Sequence, residues 1–285
     1  MIRRALFACP IYRWFVVHRA SQPPPLRYLA LEAFHLAERG LLPAALLYGR
    51  YGARPQRHPV MVLPGLWGTD RSTAVLRGVL RMQGHPVRGW RLGRHQMWTP
   101  EDWQGLADRL ERAHWLHREP VSLVGISAGG IVAREFARAR PHLVRQVITV
   151  GSPFRFRRGD RNRMSAIIGR LRPDATPSQF ELLPQEEQRP PLPVPVTSIY
   201  SRTDGLVDWR SCVEVPGERR ENIEVWGSHL GLATNAAVLI ALADRLACSP
   251  QDWRPFRVPS GAWALYPNRG PVAAGRRPSL SSRAA

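Results

Sequence analysis

Lysine is absent from this sequence; every one of its 41 Lys+Arg positions is arginine. Against 22 Asp+Glu, these give a formal net charge of +19. Such a charge points to nucleic acid or an anionic membrane as partner. An all-arginine composition rich in alanine and with 27 prolines also fits a GC-rich coding bias. That reading lowers the weight of the charge as a binding signal, and no specific nucleic-acid partner is expected. The sign still favours docking on anionic lipid.

Cysteine is scarce. Cys9, Cys212 and Cys248 show no zinc spacing and no disulfide framework. Reduced thiols are the expectation, with Cys212–Cys248 the one conceivable pair. No run reaches the roughly 18 apolar residues of a membrane span. Residues 29–48 come nearest, but Glu32, His35, Glu38 and Arg39 interrupt them. They read as a helix pair broken near Gly40 and Pro43, covering a sheet or lying on a membrane surface. Arg3-Arg4 before an apolar run faintly resembles an export signal, but Pro10 and Arg13 cut that run short of about 7–15 residues. A cytoplasmic location, with peripheral contact to an anionic membrane, is therefore expected. No internal repeat is present.

What the sequence has is apolar material: 44% hydrophobic residues and 10 Trp, enough for a packed core. Short apolar strands alternate with helices. Strands are expected at Val60–Leu63 and at residues 86–90, 121–125, 145–150, 195–200 and 222–226. Helices are expected from Thr99, a capping residue before Pro100, to Arg118, and over residues 128–140 and 230–247. This alternation predicts an α/β fold with a mostly parallel sheet covered on both faces. The organisation follows: a leader and helical segment at 1–57, a domain at 58–248, and a Pro/Arg/Ser-rich tail at 249–285 expected to be disordered. Within the domain, residues 154–193 break the rhythm and read as a lid-like insertion with a helix at 161–171.

The motif with chemical content is Gly125-Ile126-Ser127-Ala128-Gly129, a G-x-S-x-G between a buried strand and a helix. Small residues on both sides permit a tight turn that lifts the Ser127 hydroxyl above the sheet. The helix start also directs backbone N–H groups at developing negative charge. One oxyanion donor is then the Ala128 N–H. The other is expected in Pro64-Gly65-Leu66-Trp67-Gly68, where Leu66 is the choice and Trp67 lines the acyl pocket.

Partners of such a serine follow in the order acid, then His. Downstream histidines are His142, at a helix end, and His229, between the last strand and the closing helix. His229 is the candidate base. Asp204 follows a strand end and is the candidate acid, with Asp208 as its rival.

With these residues in place, the chain resembles an α/β-hydrolase of the bacterial lipase/esterase type. The likeness rests on the runs at residues 60–65, 125–130, 148–154, 200–205 and 227–231. It implies the α/β-hydrolase fold, a Ser127, Asp204, His229 triad, no cofactor and no metal, and carboxylic-ester hydrolysis through an acyl-enzyme. Ile126 departs from the His or Trp found before the serine in many members. Leu66, Trp67, Trp90, Met97, Trp98, Phe154 and Trp209 suggest an apolar or lipid-like ester, with Trp67 and Phe154 the candidate substrate contacts.

Two alternatives stand beside hydrolysis. The same residues suit acyl transfer to an alcohol or amine. The chain could instead be a non-catalytic module binding an anionic surface through Arg155, Arg157, Arg158, Arg161, Arg163, Arg170 and Arg172.

Overall fold

Runs rich in Val, Ile and Leu become the middle of a single sheet. The computed structural model describes residues 23–43, 57–96, 99–155, 163, 186–215 and 217–268. Six strands are found there: β1 (Val60–Leu63), β2 (Val87–Gly89), β3 (Val121–Ile126), β4 (Val144–Val150), β5 (Val196–Tyr200) and β6 (Arg220–Glu224). They pair in the order β2-β1-β3-β4-β5-β6, every pair parallel. β1, β3 and β5 are buried along their whole length, as strands covered on both faces must be.

The covering elements are α1 (Leu26–Glu32), α2 (Ala74–Met82), α3 (Pro100–His117), α4 (Ala128–Ala139) and α5 (Ala236–Ala247). Alternate strand residues divide between two cores. Val62, Val124, Ile148 and Ile199 meet Leu76 and Leu80 of α2 and Leu239 and Leu242 of α5 on one face. Leu63, Leu123 and Val147 meet Leu106 and Leu110 of α3 and Phe136 of α4 on the other. The register Leu63↔Gly125, Ile126↔Val150, Val150↔Ile199 and Tyr200↔Glu224 brings the carboxyl ends of five strands to one edge. Ligands of open α/β sheets bind outside that edge.

α3 starts as its sequence predicts. Asp102 N–H donates to Thr99 Oγ1 at 3.2 Å, and Thr99 N–H donates to Asp102 Oδ2 at 3.0 Å. Elsewhere the boundaries move. The last strand lies at Arg220–Glu224 and not at 222–226; its final ladder bond runs from Val225 N–H to Tyr200 O at 2.9 Å, where β5 ends. The closing helix begins at Ala236 and not at Leu230. Asn235 Oδ1 caps it, accepting from Ala237 N–H at 2.9 Å, and the preceding residues form a loop and a short 3-10 turn at Leu232–Thr234.

The expected disorder from residue 249 onward is corrected up to Asn268. Phe256, Ala262 and Tyr266 are buried in the same core as α5. The backbone N–H of Phe256 donates to Glu221 Oε2 at 2.7 Å, and Tyr266 Oη donates to Ala237 O at 2.7 Å. The segment has little regular structure but enough aromatic surface to hold it down. The lid-like insertion lies outside the described residues, apart from its two ends and Arg163. Cys212 and Cys248 are free and buried, so they do not form the conceivable bridge; Cys9 lies outside the described residues.

Candidate active site

The site begins with the turn from β3 to α4. Ser127 holds φ 50° and ψ −124°, a region costly for a residue with a side chain. Ser127 N–H donates to Val150 O at 2.8 Å, and Gly130 N–H donates to Ser127 O at 2.9 Å. The neighbouring glycines are required by contact. A Cβ on Gly125 would overlap the backbone of Gly130, and one on Gly130 would overlap Ser152 Oγ. One on Gly129 would lie 2.5 Å from Leu63 O. Helix and strands thus approach at backbone distance, and Ser127 is left half-buried at the carboxyl edge of the sheet.

His229 arrives from the loop after β6. Its Nε2 lies 3.0 Å from Ser127 Oγ and its Nδ1 lies 2.6 Å from Asp204 Oδ2. With Asp204 ionised, Nδ1–H donates to the carboxylate, which leaves Nε2 as the acceptor facing the serine hydroxyl. Both side chains are almost fully buried. Burial alone pushes the His229 imidazolium down. The charge and hydrogen bond of Asp204, and the charge of Glu32, outweigh burial and raise His229 above its ordinary value.

The two acidic candidates separate cleanly. Asp204 Oδ1 accepts from Leu206 and Val207 N–H, each at 2.8 Å, which fixes the carboxylate and presents Oδ2 to the histidine. Asp208 caps the 3-10 turn Trp209–Cys212, accepting from Arg210 N–H at 3.1 Å. His142 is exposed on another 3-10 turn.

The loop after β1 lies beside the serine. A Cβ on Gly65 would sit 3.1 Å from Ser127 Cβ. Trp67 N–H is taken by His95 O at 2.5 Å and Gly68 N–H by Gly65 O at 2.9 Å. No acceptor among the described residues takes the Leu66 N–H. Ala128 is the first residue of α4, where an N–H has no partner within its helix.

Trp67 is half-buried with φ 59°. Phe154 is buried, and the Arg134 guanidinium covers one ring face at 3.8 Å, so that face is closed to substrate. Trp90 is core, donating from Nε1 to Gly93 O at 2.9 Å. Trp209 stacks on Tyr200. Met97 and Trp98 lie outside the described residues.

Three residues at the site carried no signal in the sequence. His95 is fully buried. Its Nδ1–H donates to Pro64 O at 2.9 Å, and burial lowers its pKa, so a neutral ring braces the loop of Leu66. Glu38 Oε1 accepts from Ser228 N–H at 2.7 Å and from Ser228 Oγ at 2.5 Å. Glu32 reaches the backbone of both the acid and base loops. Both glutamates come from a segment some 190 residues away, and no local pattern marks them.

Of the arginines suggested as a binding surface, Arg155 is buried and donates to Val213 O at 3.3 Å. Arg163 donates to Gly205 O at 2.9 Å. The other five lie outside the described residues.

No family model and no curated protein matches the chain. Among solved structures, one from a study of the metagenome-derived lipolytic enzymes LipS and LipT superposes with a TM-score of 0.51 at 17% identity. The match covers 68% of this chain and 93% of that one. The mature form of the Bacillus licheniformis lipase BlEst2 gives 0.50 at 14% identity, covering 69% and 94%. Its propeptide form gives 0.52 at 14%, covering 70% and 52%. These likenesses, with the parallel sheet and its flanking helices, give the chain the α/β-hydrolase fold.

Proposed function

We propose that the protein is a serine hydrolase that cleaves carboxylic esters through an acyl-enzyme. The observation that carries this reading is His229 seated between Ser127 Oγ at 3.0 Å and Asp204 Oδ2 at 2.6 Å. Ser127 Oγ attacks the ester carbonyl and passes its proton to His229 Nε2. Asp204 holds the tautomer that leaves Nε2 free and stabilises the imidazolium. The N–H groups of Leu66 and Ala128 receive the oxyanion. The imidazolium then gives its proton to the departing alcohol oxygen. Water, deprotonated by His229, attacks the acyl-enzyme; the imidazolium returns that proton to Ser127 Oγ as the C–O bond breaks and the carboxylic acid leaves.

An apolar, lipid-like ester is the substrate class we favour. Leu26, Phe34, Leu36 and Leu41 are exposed on the segment bonded to the His229 loop, and Leu230 is exposed within that loop. The structural neighbours include proteins described as lipolytic and as a lipase.

Labelling with a fluorophosphonate probe tests the reaction. Wild type should react, Ser127→Ala should not, and Ser127→Ala should lose about 10⁶-fold in kcat on a chromogenic ester. Folded wild-type protein that resists the probe would overturn the reading. With the serine established, turnover across a series of acyl chains tests the substrate class. Equal rates for two-carbon and long chains would remove the lipid preference.

A further inference from the structure

α1 precedes the motif-bearing stretch of residues 59–246, yet it delivers a carboxylate to the middle of the site. Glu32 is 6% exposed. Its Oε1 accepts from Gly205 N–H at 2.9 Å and from His229 N–H at 2.7 Å, and its Oε2 accepts from Leu230 N–H at 2.9 Å. Gly205 follows Asp204 directly. One side chain therefore holds the backbone beside the acid and the backbone of the base together. The close fit is visible in the glycine: a Cβ on Gly205 would stand 2.5 Å from Tyr28 O of α1.

We propose that Glu32 is a positioning residue for the proposed reaction, a clamp that fixes the His229 loop against the Asp204 loop. The inference rests on the hydrolase reading above. Three charge-assisted hydrogen bonds to two loops set the separation of acid and base. Without them the loops stay joined at Gly227, whose O accepts from Ser201 Oγ at 2.7 Å and Thr203 Oγ1 at 3.0 Å, but the backbone at Gly205, His229 and Leu230 loses its acceptor and the 3.0 Å approach of His229 to Ser127 loosens. The clamp also places charge. The groups facing His229 are Asp204 from the loop after β5 and Glu32 from α1. Glu38 faces the adjacent Ser228, and Arg163 donates to Gly205 O. Asp204, bonded to the ring, and Glu32, bonded to the backbone N–H, both raise His229 by their charge, so removing one lowers it.

Glu32→Gln keeps the shape but removes the charge and sets an amide N–H₂ against a backbone N–H. Glu32→Asp keeps the charge but is too short to reach all three donors. The test is the rate of inactivation by a fluorophosphonate across pH, with the His229 ring titrated by NMR and melting followed in parallel. Glu32→Gln should lower the plateau rate about tenfold to a hundredfold, as misplaced catalytic groups do. It should also move the acidic limb and the ring titration to lower pH. Glu32→Asp should lose plateau rate with the limb near its wild-type position.

A wild-type rate and limb in Glu32→Gln would overturn the clamp. So would a loss of rate in Glu32→Gln with the limb unmoved, which is what mere structural damage gives. Should Glu32→Gln fail to fold, Glu32→Asp decides, a wild-type plateau sinking the proposal. Failure of the hydrolase reading looks different: wild type itself goes unlabelled. The ring titration then still reports whether Glu32 acts on His229.

Discussion

At the scale of single residues, the arrangement depends on which nitrogen of His229 carries its proton. Asp204 accepts at 2.6 Å and its other oxygen is held by two backbone N–H groups, so Nδ1–H is enforced and Nε2 faces Ser127. Asp204→Asn keeps that shape but offers an N–H₂ in place of the acceptor, which turns the tautomer round. kcat on a chromogenic ester should fall about 10⁴-fold while the fold survives. The pH profile has a definite sign. His229 acts as base only when neutral, and its two carboxylate neighbours raise it above the ordinary 6.5. The acidic limb of kcat/KM should therefore lie above pH 6.5 and fall toward acid; a limb below that value would mean that burial outweighs the two carboxylates. Ser127, Asp204 and His229 were legible because each stands at a strand end in a short, recognisable context. Glu32, Glu38 and His95 were not, because their partners are backbone groups far away in sequence. An isolated glutamate in an apolar run looks like a surface charge until the fold brings it to its donors.

At the scale of elements, the site is a consequence of how closely α4 meets the sheet. Gly125, Gly129 and Gly130 leave no room for a Cβ, and the neighbours they would strike are backbone atoms and a fully buried Ser152. Gly125→Ala should lower stability by about 1–3 kcal/mol, the usual cost of overpacking, seen as a lower denaturant midpoint. It should also reduce probe labelling per folded molecule, since relief requires the turn at Ser127 to move. An unchanged midpoint would mean that α4 can slide. Strands rich in Val, Ile and Leu, β1, β3, β4 and β5, were readable from pattern. α2 carries helical spacing as well, with Leu76, Val79 and Leu80 at i, i+3 and i+4 on the buried face, although no helix is expected there in the alternation of strands and helices read from the sequence. The closing helix was read too long. Leu230, Gly231 and Leu232 continue an apolar pattern, but the N–H groups of Leu230 and Gly231 are drawn off by Glu32 and Ser228 Oγ, and Leu232 N–H closes only a single turn onto Ser228 O. Side-chain acceptors compete with helix there, and Asn235 makes the real start.

For the whole molecule, some of the arginine charge is paired inside the fold. Arg134 is buried between Glu186 and Glu214, and Arg245 is buried against Glu221 and Asp244. Two arginines there face four carboxylates, so these clusters do not account for the net charge of +19, and composition alone does not say which arginines are paired inside the fold. The segment after residue 248 shows the same limit from the other side. Its Pro, Arg and Ser content reads as disorder, yet Phe256 and Tyr266 pack on one another at 5.4 Å and close the core over α5. Glu221 ties the segment to β6 by accepting from Phe256 N–H, and Arg254 ties it to α5 through Asp244 Oδ1 at 2.9 Å. A buried phenylalanine removed from such a contact costs about 3–5 kcal/mol, so Phe256→Ala should shift the unfolding midpoint by that order. None of these contacts involves Ser127, Asp204 or His229, so labelling per folded molecule should hold at wild-type level. An unchanged midpoint would mean that the segment merely rests on α5. A lower midpoint with intact labelling would make it a strap that stabilises the hydrolase fold without entering its chemistry.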